Sequence, residues 1–346
     1  MIEKKIKLKL FLKCRRKMIF LISDFIFLIS HFLFLIFLLP SCSPVQKNET
    51  PEEQDPLVVV GFSQLGSESD WRKGNTQSML EAFSPENGYR LIFDDAQQKQ
   101  EKQITAIRNF INQGVDYIVL APNTEQGWDT ILAEAKAAGI PVIIVDRKIE
   151  VSDPDLFTCW VGSNFLSEGE IATDWMSRNL PETLKIVHLQ GNLGSSAQIG
   201  RTEGLEKGLS EHPEWKLVFQ APGDFVQAKG QELIKSVLSE QIDFDVIYSE
   251  NDNMTYGAIE ALKENGIQPG KDVTIISFDA SRDALRLIRD GEINLDVECN
   301  PNHGPRVRAL IEQIERGETP RKYTYVAETY FEPSTVTEEI INQRGY

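Results

Sequence analysis

The sequence predicts an α/β protein of two lobes, each a parallel sheet covered by helices on both sides. Three observations lead there. First, eleven short apolar runs follow residue 57, and several are apolar on both faces, as strands buried inside a parallel sheet are. Second, helical patterns lie between most of these runs, and such βαβα alternation sets parallel strands side by side with helices across their faces. Third, eleven strands are many for one doubly wound sheet, whereas 346 residues suffice for two domains of ordinary size. The hydrophobic fraction of 41% and the charged fraction of 25% are those of a globular chain. No internal sequence repeat is visible.

The first strand-like run, 57–63 (LVVVGFS), leads into a polar loop and a helix that begins near Trp71. The second, 89–96, precedes a helix over 99–114 in which Ile104, Ile107, Phe110 and Ile111 recur at helical spacing and Gly114 stops the turn. Runs at 116–122 and 141–147 flank a helical segment whose last turn is followed by Gly139. Runs at 157–162, 184–191, 215–223 and 244–251 come next, and the helix after the last of these ends at Gly266 in the same way. The series closes with 273–279, a helical pattern over 282–292, and runs at 295–300 and 323–331.

Residues 1–41 differ from the rest. A basic front from Lys4 to Lys17 precedes an apolar stretch of Ile, Leu and Phe over 18–39, broken by Ser23, Asp24, Ser30 and His31. These are the two parts of an export signal. The stretch closes at LLPSCS, which resembles a bacterial lipoprotein box with Cys42 as the lipidated first residue. Ordinary cleavage, or an uncleaved anchor, is the alternative, because the apolar stretch is long enough to span a bilayer. Residues 42–56 are polar, rich in Pro and Glu and without periodicity, as a flexible tether is. Residues 1–41 hold eight of the 36 basic residues and two of the 52 acidic ones, which leaves the remainder at a net −22. Such a field repels nucleic acid and anionic membrane surfaces. Of four cysteines only Cys159 and Cys299 fall in the folded region, with no CxxC and no Cys/His cluster, so neither a metal nor another cofactor is expected.

In open α/β sheets ligands bind beyond the carboxyl ends of the strands. The residues there are polar and mostly charged: SQLGSESDWR after the first run, Asp146 and Arg147 after the fourth, and Arg201 about one turn into the helix that follows the sixth. Asn251 and Asp252 follow the eighth run, Asp279 ends the ninth, and Glu298, Cys299 and Asn300 end the tenth, with Trp71 and Trp128 the nearby aromatics. Each has a plain structural reading. Ser69 or Asp70, Asn251 or Asp252, and Asp279 suit helix caps worth about 1 kcal/mol each; Asp146 and Arg147 suit a solvated turn, and Arg201 a surface position. Together they form a set that two facing lobes would gather into one cleft. Carboxylates accept hydrogen bonds, Arg donates in a planar fork and Asn does both, a mixture that satisfies sugar hydroxyls in pairs. An indole face suits the C–H side of a sugar ring.

The stretches VGFSQLGSESDWR, QQKQEKQITAIRNFINQGVDYIVLAP, EAKAAGIPVIIVDR, NDNMTYGAIEALKENGIQPGKDV and VECNPNHGP resemble the bacterial periplasmic sugar-binding proteins of the ribose/galactose-binding type, which feed ABC importers. The resemblance runs from about Leu57 to about Pro333, and ESDWR and QQKQE are particular to the galactofuranose-binding branch. It implies the type I periplasmic binding protein fold: two Rossmann-like lobes joined by three hinge crossings, near Val161–Asn164, Glu298–Asn300 and Tyr323–Ala327. The first lobe would then comprise 57–161 with 299–324, and the second 162–298 with 325–346. It also implies the ligand contacts: Glu68, Ser69, Asp70, Trp71 and Arg72, then Asp146 and Arg147, from the first lobe, and Arg201, Asn251 and Asp279 from the second. Cys299 stands where ribose-binding relatives carry Gln, so Glu298 or Asn300 takes over that position.

The function implied is capture of a monosaccharide, a furanose such as galactofuranose, by hinge closure, and its delivery to a membrane ABC permease driven by a separate ATPase. The chain has no P-loop of its own. A monomeric protein, exported to the periplasm or cell surface and tethered through Cys42, fits this role, with no nucleic acid as partner and no catalytic residue. Three alternatives stand beside it. A ligand-sensing subunit of a signalling system would look the same in sequence. A repressor of the same fold would need a DNA-binding element where the export signal lies. A furanoside-acting enzyme would use paired carboxylates, but there is no GxSxG elbow and no HExxH. Cys159 and Cys299 both fall near crossings; two separate buried thiols are favoured over a disulfide that stiffens the hinge.

Overall fold

The computed structural model describes residues 56–346. The export signal, Cys42 and nearly all of the tether lie outside the described residues. Among the described residues, no helix is long and apolar enough to cross a membrane.

Two six-stranded sheets form the framework. The first contains β1 (Val58–Gln64), β2 (Tyr89–Asp95), β3 (Tyr117–Leu120), β4 (Val142–Val145), β5 (Cys159–Gly162) and, from much later in the chain, β11 (Tyr323–Tyr325). Its strands run in the order β11-β5-β4-β3-β1-β2 and are all parallel. The second contains β6 (Lys185–Gln190), β7 (Lys216–Pro222), β8 (Val246–Ser249), β9 (Thr274–Asp279), β10 (Leu295–Glu298) and β12 (Tyr330–Phe331). Its order is β12-β10-β9-β8-β6-β7, and only β12 runs antiparallel to its neighbour. The central strands β3, β4, β5, β8 and β10 are buried along their whole length, which explains their unbroken apolar runs.

Helices cover both faces of each sheet. In the first lobe α1 (Asp70–Ala82), α2 (Gln100–Gln113) and α3 (Asp129–Ala137) are joined by α9 (His303–Glu315), which packs against α1. In the second, α4 (Phe165–Asn179), α5 (Ser196–Glu211), α6 (Gln227–Ser239), α7 (Asp252–Glu264) and α8 (Arg282–Arg289) do the same, with the short α10 (Glu338–Gln343) against α8. Each sheet has an apolar cluster on either face, so four clusters make up the core.

The chain passes between the sheets three times: at 163–164 between β5 and α4, at 299–302 between β10 and α9, and at 326–329 between β11 and β12. The run 323–331, read from the sequence as one strand, is therefore two short strands in different sheets. Its alternating Tyr, Thr and Val suit either edge, and the pattern cannot show where pairing changes partner. In each sheet the strand order reverses at one point, between β1 and β3 and between β6 and β8. The loops diverge there and leave a crevice at the strand ends.

Candidate functional site

The two crevices face each other across a narrow cavity. It is lined by Glu68, Ser69, Trp71, Arg72, Asp146, Arg147, Phe165, Ala197, Arg201, Phe225, Asn251, Asp279 and Cys299. The lobes are in contact on both sides of it. On one side the Asp70 backbone N–H donates to Asn253 Oδ1 (3.0 Å), and Asn253 Nδ2 returns a bond to Asp70 Oδ2 (3.2 Å). On the other, Lys148 N donates to Ser196 Oγ (2.8 Å), Asn192 Nδ2 to Asn123 Oδ1 (3.1 Å) and Glu125 N to Gly194 O (3.1 Å).

The first wall grows out of the loop after β1. Ser69 caps α1 by accepting from the Arg72 backbone N–H at 3.1 Å, which fixes the first helical turn and points Arg72 inward. Arg72 is buried; its Nη1 lies 2.9 Å from Asp146 Oδ2 and its Nε 3.4 Å from Glu68 Oε1. The contact with Asp146 is oblique and leaves that oxygen without an aligned hydrogen bond. Arg72 also lies over the Trp71 ring, 4.5 Å from its centroid, and Trp71 Nε1 donates to Cys299 O at 2.6 Å. Trp71 thus starts in the first lobe and joins the apolar cluster of the second.

Asp146 follows β4 with a left-handed backbone, φ 64°, which for a non-glycine residue is a local strain. Asp279, at the end of β9, has φ 113°. Both strand-end aspartates of the cavity are therefore held in conformations that L residues seldom adopt, as is common where side chains are aimed at a ligand. Arg147 donates Nη1 to Asn123 O at 2.9 Å and lies over the Phe225 ring, while its buried Nε has no partner. Burial, with Arg72 nearby, lowers the Arg147 guanidinium to about 10.

Arg201 anchors the opposite wall. Its Nε donates to Glu168 Oε2 at 2.7 Å, its Nη1 to Glu250 O, and its Nη2 lies 3.5 Å from Asp279 Oδ1. Helices α4 and α5 approach so closely at Gly169 and Gly204 that a Cβ on Gly204 would sit 2.5 Å from the Gly169 Cα. That contact brings Glu168 and Arg201 together. Burial pushes the Asp279 carboxyl well above its usual range in spite of Arg201. Asn251 caps α7 by accepting from Met254 N at 3.0 Å and donates to Phe225 O at 3.3 Å.

Most of the residues singled out from the sequence meet here, from six separated segments. Asp70, Trp128, Asp252, Glu298 and Asn300 do not line the cavity. Asp70 is turned toward Asn253 and Lys73 at its rim. Glu298 pairs with Arg344 instead, because the alternation at the end of β10 turns Cys299 rather than Glu298 toward the cleft. Trp128 is fully buried in the first-lobe core and donates to Thr124 O at 2.8 Å. Nor is Asp279 the cap of α8, since Ser281 takes that place. Asp146, Arg147 and Arg201 are buried, which excludes the solvated-turn and surface readings. The sequence reading missed Phe165, Ala197 and Phe225, whose apolar character marks them as core. It also missed Glu168, an acidic residue in the first turn of a helix with nothing local to tie it to Arg201.

Cys159 and Cys299 are buried free thiols, not a disulfide. The side-chain ligand atoms of Glu168, Cys299 and Glu328 lie within 4.8 Å of one another, but Arg201, Ser163 and Asn300 already bond to the carboxylates. We assign no metal there. Three guanidinium groups face three carboxylates across the cavity, with aromatic surface between them. This is a pocket of mixed charge, rich in donors and acceptors, as ligand sites with a few convergent polar groups are.

Comparison with known proteins gives consistent results. The family model described as a periplasmic binding protein domain matches residues 60–332. The galactofuranose-binding protein YtfQ of Escherichia coli (strain K12) is 38% identical over 293 residues, covering 83% of this chain and 92% of that protein. A crystal structure of a galactofuranose binding protein aligns with TM-score 0.80 and 38% identity over 84% of this chain and 98% of that one. The binding component of the arabinose ABC transporter from Shewanella sp. ANA-3, bound to α- and β-L-arabinofuranose, aligns with TM-score 0.78 and 37% identity, covering 83% of this chain and 99% of that one.

Proposed function

The chain belongs to the periplasmic binding protein family, and from that premise we propose that it captures a monosaccharide in furanose form and delivers it to an ABC importer. The observation that carries this reading is the cavity itself: three guanidinium and three carboxyl groups, from strand ends and from helices of two lobes that touch on both sides of it. Each sugar hydroxyl can donate to a carboxylate and accept from a guanidinium, while Trp71, Phe165 and Phe225 cover the C–H surface. Arg147 Nε, buried without a partner, is a donor that a hydroxyl would satisfy. The site residues are Glu68, Ser69, Trp71, Arg72, Asp146, Arg147, Arg201, Asn251 and Asp279, with Cys299 at the hinge side.

Ligand contacts to both lobes favour the closed arrangement, and only this difference in affinity between states drives closure. Two bodies, 57–162 with 303–325 and 165–298 with 330–346, would rotate about the three passages, since Gly162 and Tyr325 pair in the first sheet, one residue beyond the bounds expected from the sequence. The protein is exported and held at the membrane through Cys42. The ligand is released unchanged. A thermal-shift screen against monosaccharides, including D-galactose and L-arabinose as furanose-bearing mixtures, tests the reading. A bound sugar at about 100 times its Kd adds about 2.7 kcal/mol of stability. Absence of a shift with every sugar, or release of reducing sugar from a furanoside, overturns it.

A further inference from the structure

The three passages between the lobes meet at one carboxyl group. Ser163 lies on the first, Cys299 and Asn300 on the second, and Glu328 on the third. Ser163 Oγ donates to Glu328 Oε1 at 2.6 Å, and the Asn300 backbone N–H donates to the same oxygen at 2.8 Å. Ser163 Oγ is also 3.3 Å from Cys299 Sγ. One side chain on the third passage therefore ties down the other two. Ser163, Cys299 and the passage residues sit beside the ligand cavity, since Cys299 lines it.

The charged surroundings of this carboxyl are asymmetric. Glu168 of α4 lies close to it, with the thiol of Cys299 near both. Arg201 of α5 acts on it from farther off, engaged with Glu168, Glu250 and Asp279. Arg306 of α9 is also within its field and bonds to Asn300 Oδ1 and Asn302 O. None of these cations is within salt-bridge distance of Glu328. Glu328 is half-buried, and a carboxyl group held beside another carboxylate, with no cation paired to it, is shifted toward its protonated form.

We propose that closure of the lobes on ligand is coupled to uptake of one proton by Glu328, whose neutral carboxylic acid pins the three hinge passages together. The inference rests on the closure mechanism above. In the closed arrangement burial, reinforced by Glu168, pushes the Glu328 carboxyl up to about 9, against the Ser163 and Asn300 donors and Arg201, which lower it. When the lobes separate, water reaches the hinge, and the group returns toward the ordinary carboxylate value of 4.5. The acid is raised in the closed state, so its contribution to closure is complete below the open-state value. It is lost progressively as pH rises toward the closed-state one. Between these limits each ligand bound brings in close to one proton, and affinity falls by up to about tenfold per pH unit.

Isothermal titration at pH 7.5 in phosphate and in Tris, whose ionisation heats differ widely, counts the protons taken up as the sugar binds. The probe is whichever of D-galactose and L-arabinose gives the shift in the screen. The wild-type protein is expected to take up close to one proton, with affinity weakening from pH 6 to pH 8. Glu328→Gln keeps an acceptor for Ser163 and Asn300 and is permanently neutral, so it is expected to bind with little pH dependence and nearly a full proton less uptake. Asp279, also raised by burial, remains in both proteins, and the difference between them isolates Glu328. Sugar binding without proton uptake by the wild type overturns the inference and leaves the sugar-binding reading intact. So does equal uptake by wild type and a variant of unchanged melting temperature. Absence of binding by any sugar overturns both.

Discussion

Arg147 and Arg201 face one cavity from opposite lobes, yet their surroundings differ. Arg201 is held by Glu168 at 2.7 Å and by Glu250 O, and it lies against Asp279. Removing it leaves Glu168 and Asp279 as buried carboxylates without a cation. Breaking a buried pair in this way costs about 3–5 kcal/mol of stability. Arg147 has one protein bond, to Asn123 O, and a buried Nε with none. Burial disfavours its charge. Arg147→Ala is therefore expected to cost about 1 kcal/mol at most, the net worth of one hydrogen bond. Its ligand affinity should fall by about 2–5 kcal/mol, the usual cost of truncating a buried charged partner. Arg201→Ala should lose both stability and binding. Urea denaturation and titration calorimetry on the two variants check the contrast; an equal loss of stability in both would show that Arg147 is structural.

At the level of elements, the helix pair α4 and α5 sets the geometry of the second-lobe wall. Gly169 and Gly204 meet backbone to backbone, and a Cβ on Gly169 would lie 2.8 Å from the Arg201 carbonyl oxygen. No flexible side chain is there to yield. Gly204→Ala must push the helices apart, at about 1–3 kcal/mol for overpacking, and it moves Arg201 relative to Asp279. Denaturation midpoint and sugar affinity should fall together; a normal affinity would mean that the pair does not position Arg201. Such contacts were not legible in the sequence, where GEIATDWM and GRTEGLEKG show only glycines inside helical patterns. What was legible had local causes. Strands such as 142–145 are apolar throughout because both faces are covered. Polar residues crowd strand ends, where the chain leaves the sheet. The two-lobe arrangement followed from strand number and alternation. Facing was harder: nothing in the run LDVECN tells which of Glu298, Cys299 and Asn300 points at the cleft, because pairing with Arg344, 46 residues on, decides it. Trp128 shares its strand-end setting with Trp71, and only tertiary packing sends one to the core and the other to the cavity.

For the whole molecule the relevant quantity is the balance between open and closed lobes, and Asp70 bears on it differently from its neighbours. Its position in ESDWR groups it with the ligand contacts, but its backbone N–H and carboxylate both bond to Asn253 of the second lobe at 3.0 and 3.2 Å. These bonds exist only while the lobes are together. They stabilise the closed state independently of which ligand is bound, and a shift in that equilibrium changes apparent affinity by the same factor for every ligand. Asn253→Ala removes both side-chain partners at once, and Asp70→Ala removes the carboxylate one. At about 1 kcal/mol of net worth per hydrogen bond, Asn253→Ala should weaken binding about tenfold or somewhat more, and Asp70→Ala by less. The change should appear in the dissociation rate, since encounter with the open cleft precedes formation of the latch. Stopped-flow measurements with two sugars of unequal affinity decide the matter. An equal factor for both, carried by dissociation, is the signature of a latch. A loss confined to one sugar, or carried by association, would return Asp70 to the ligand shell.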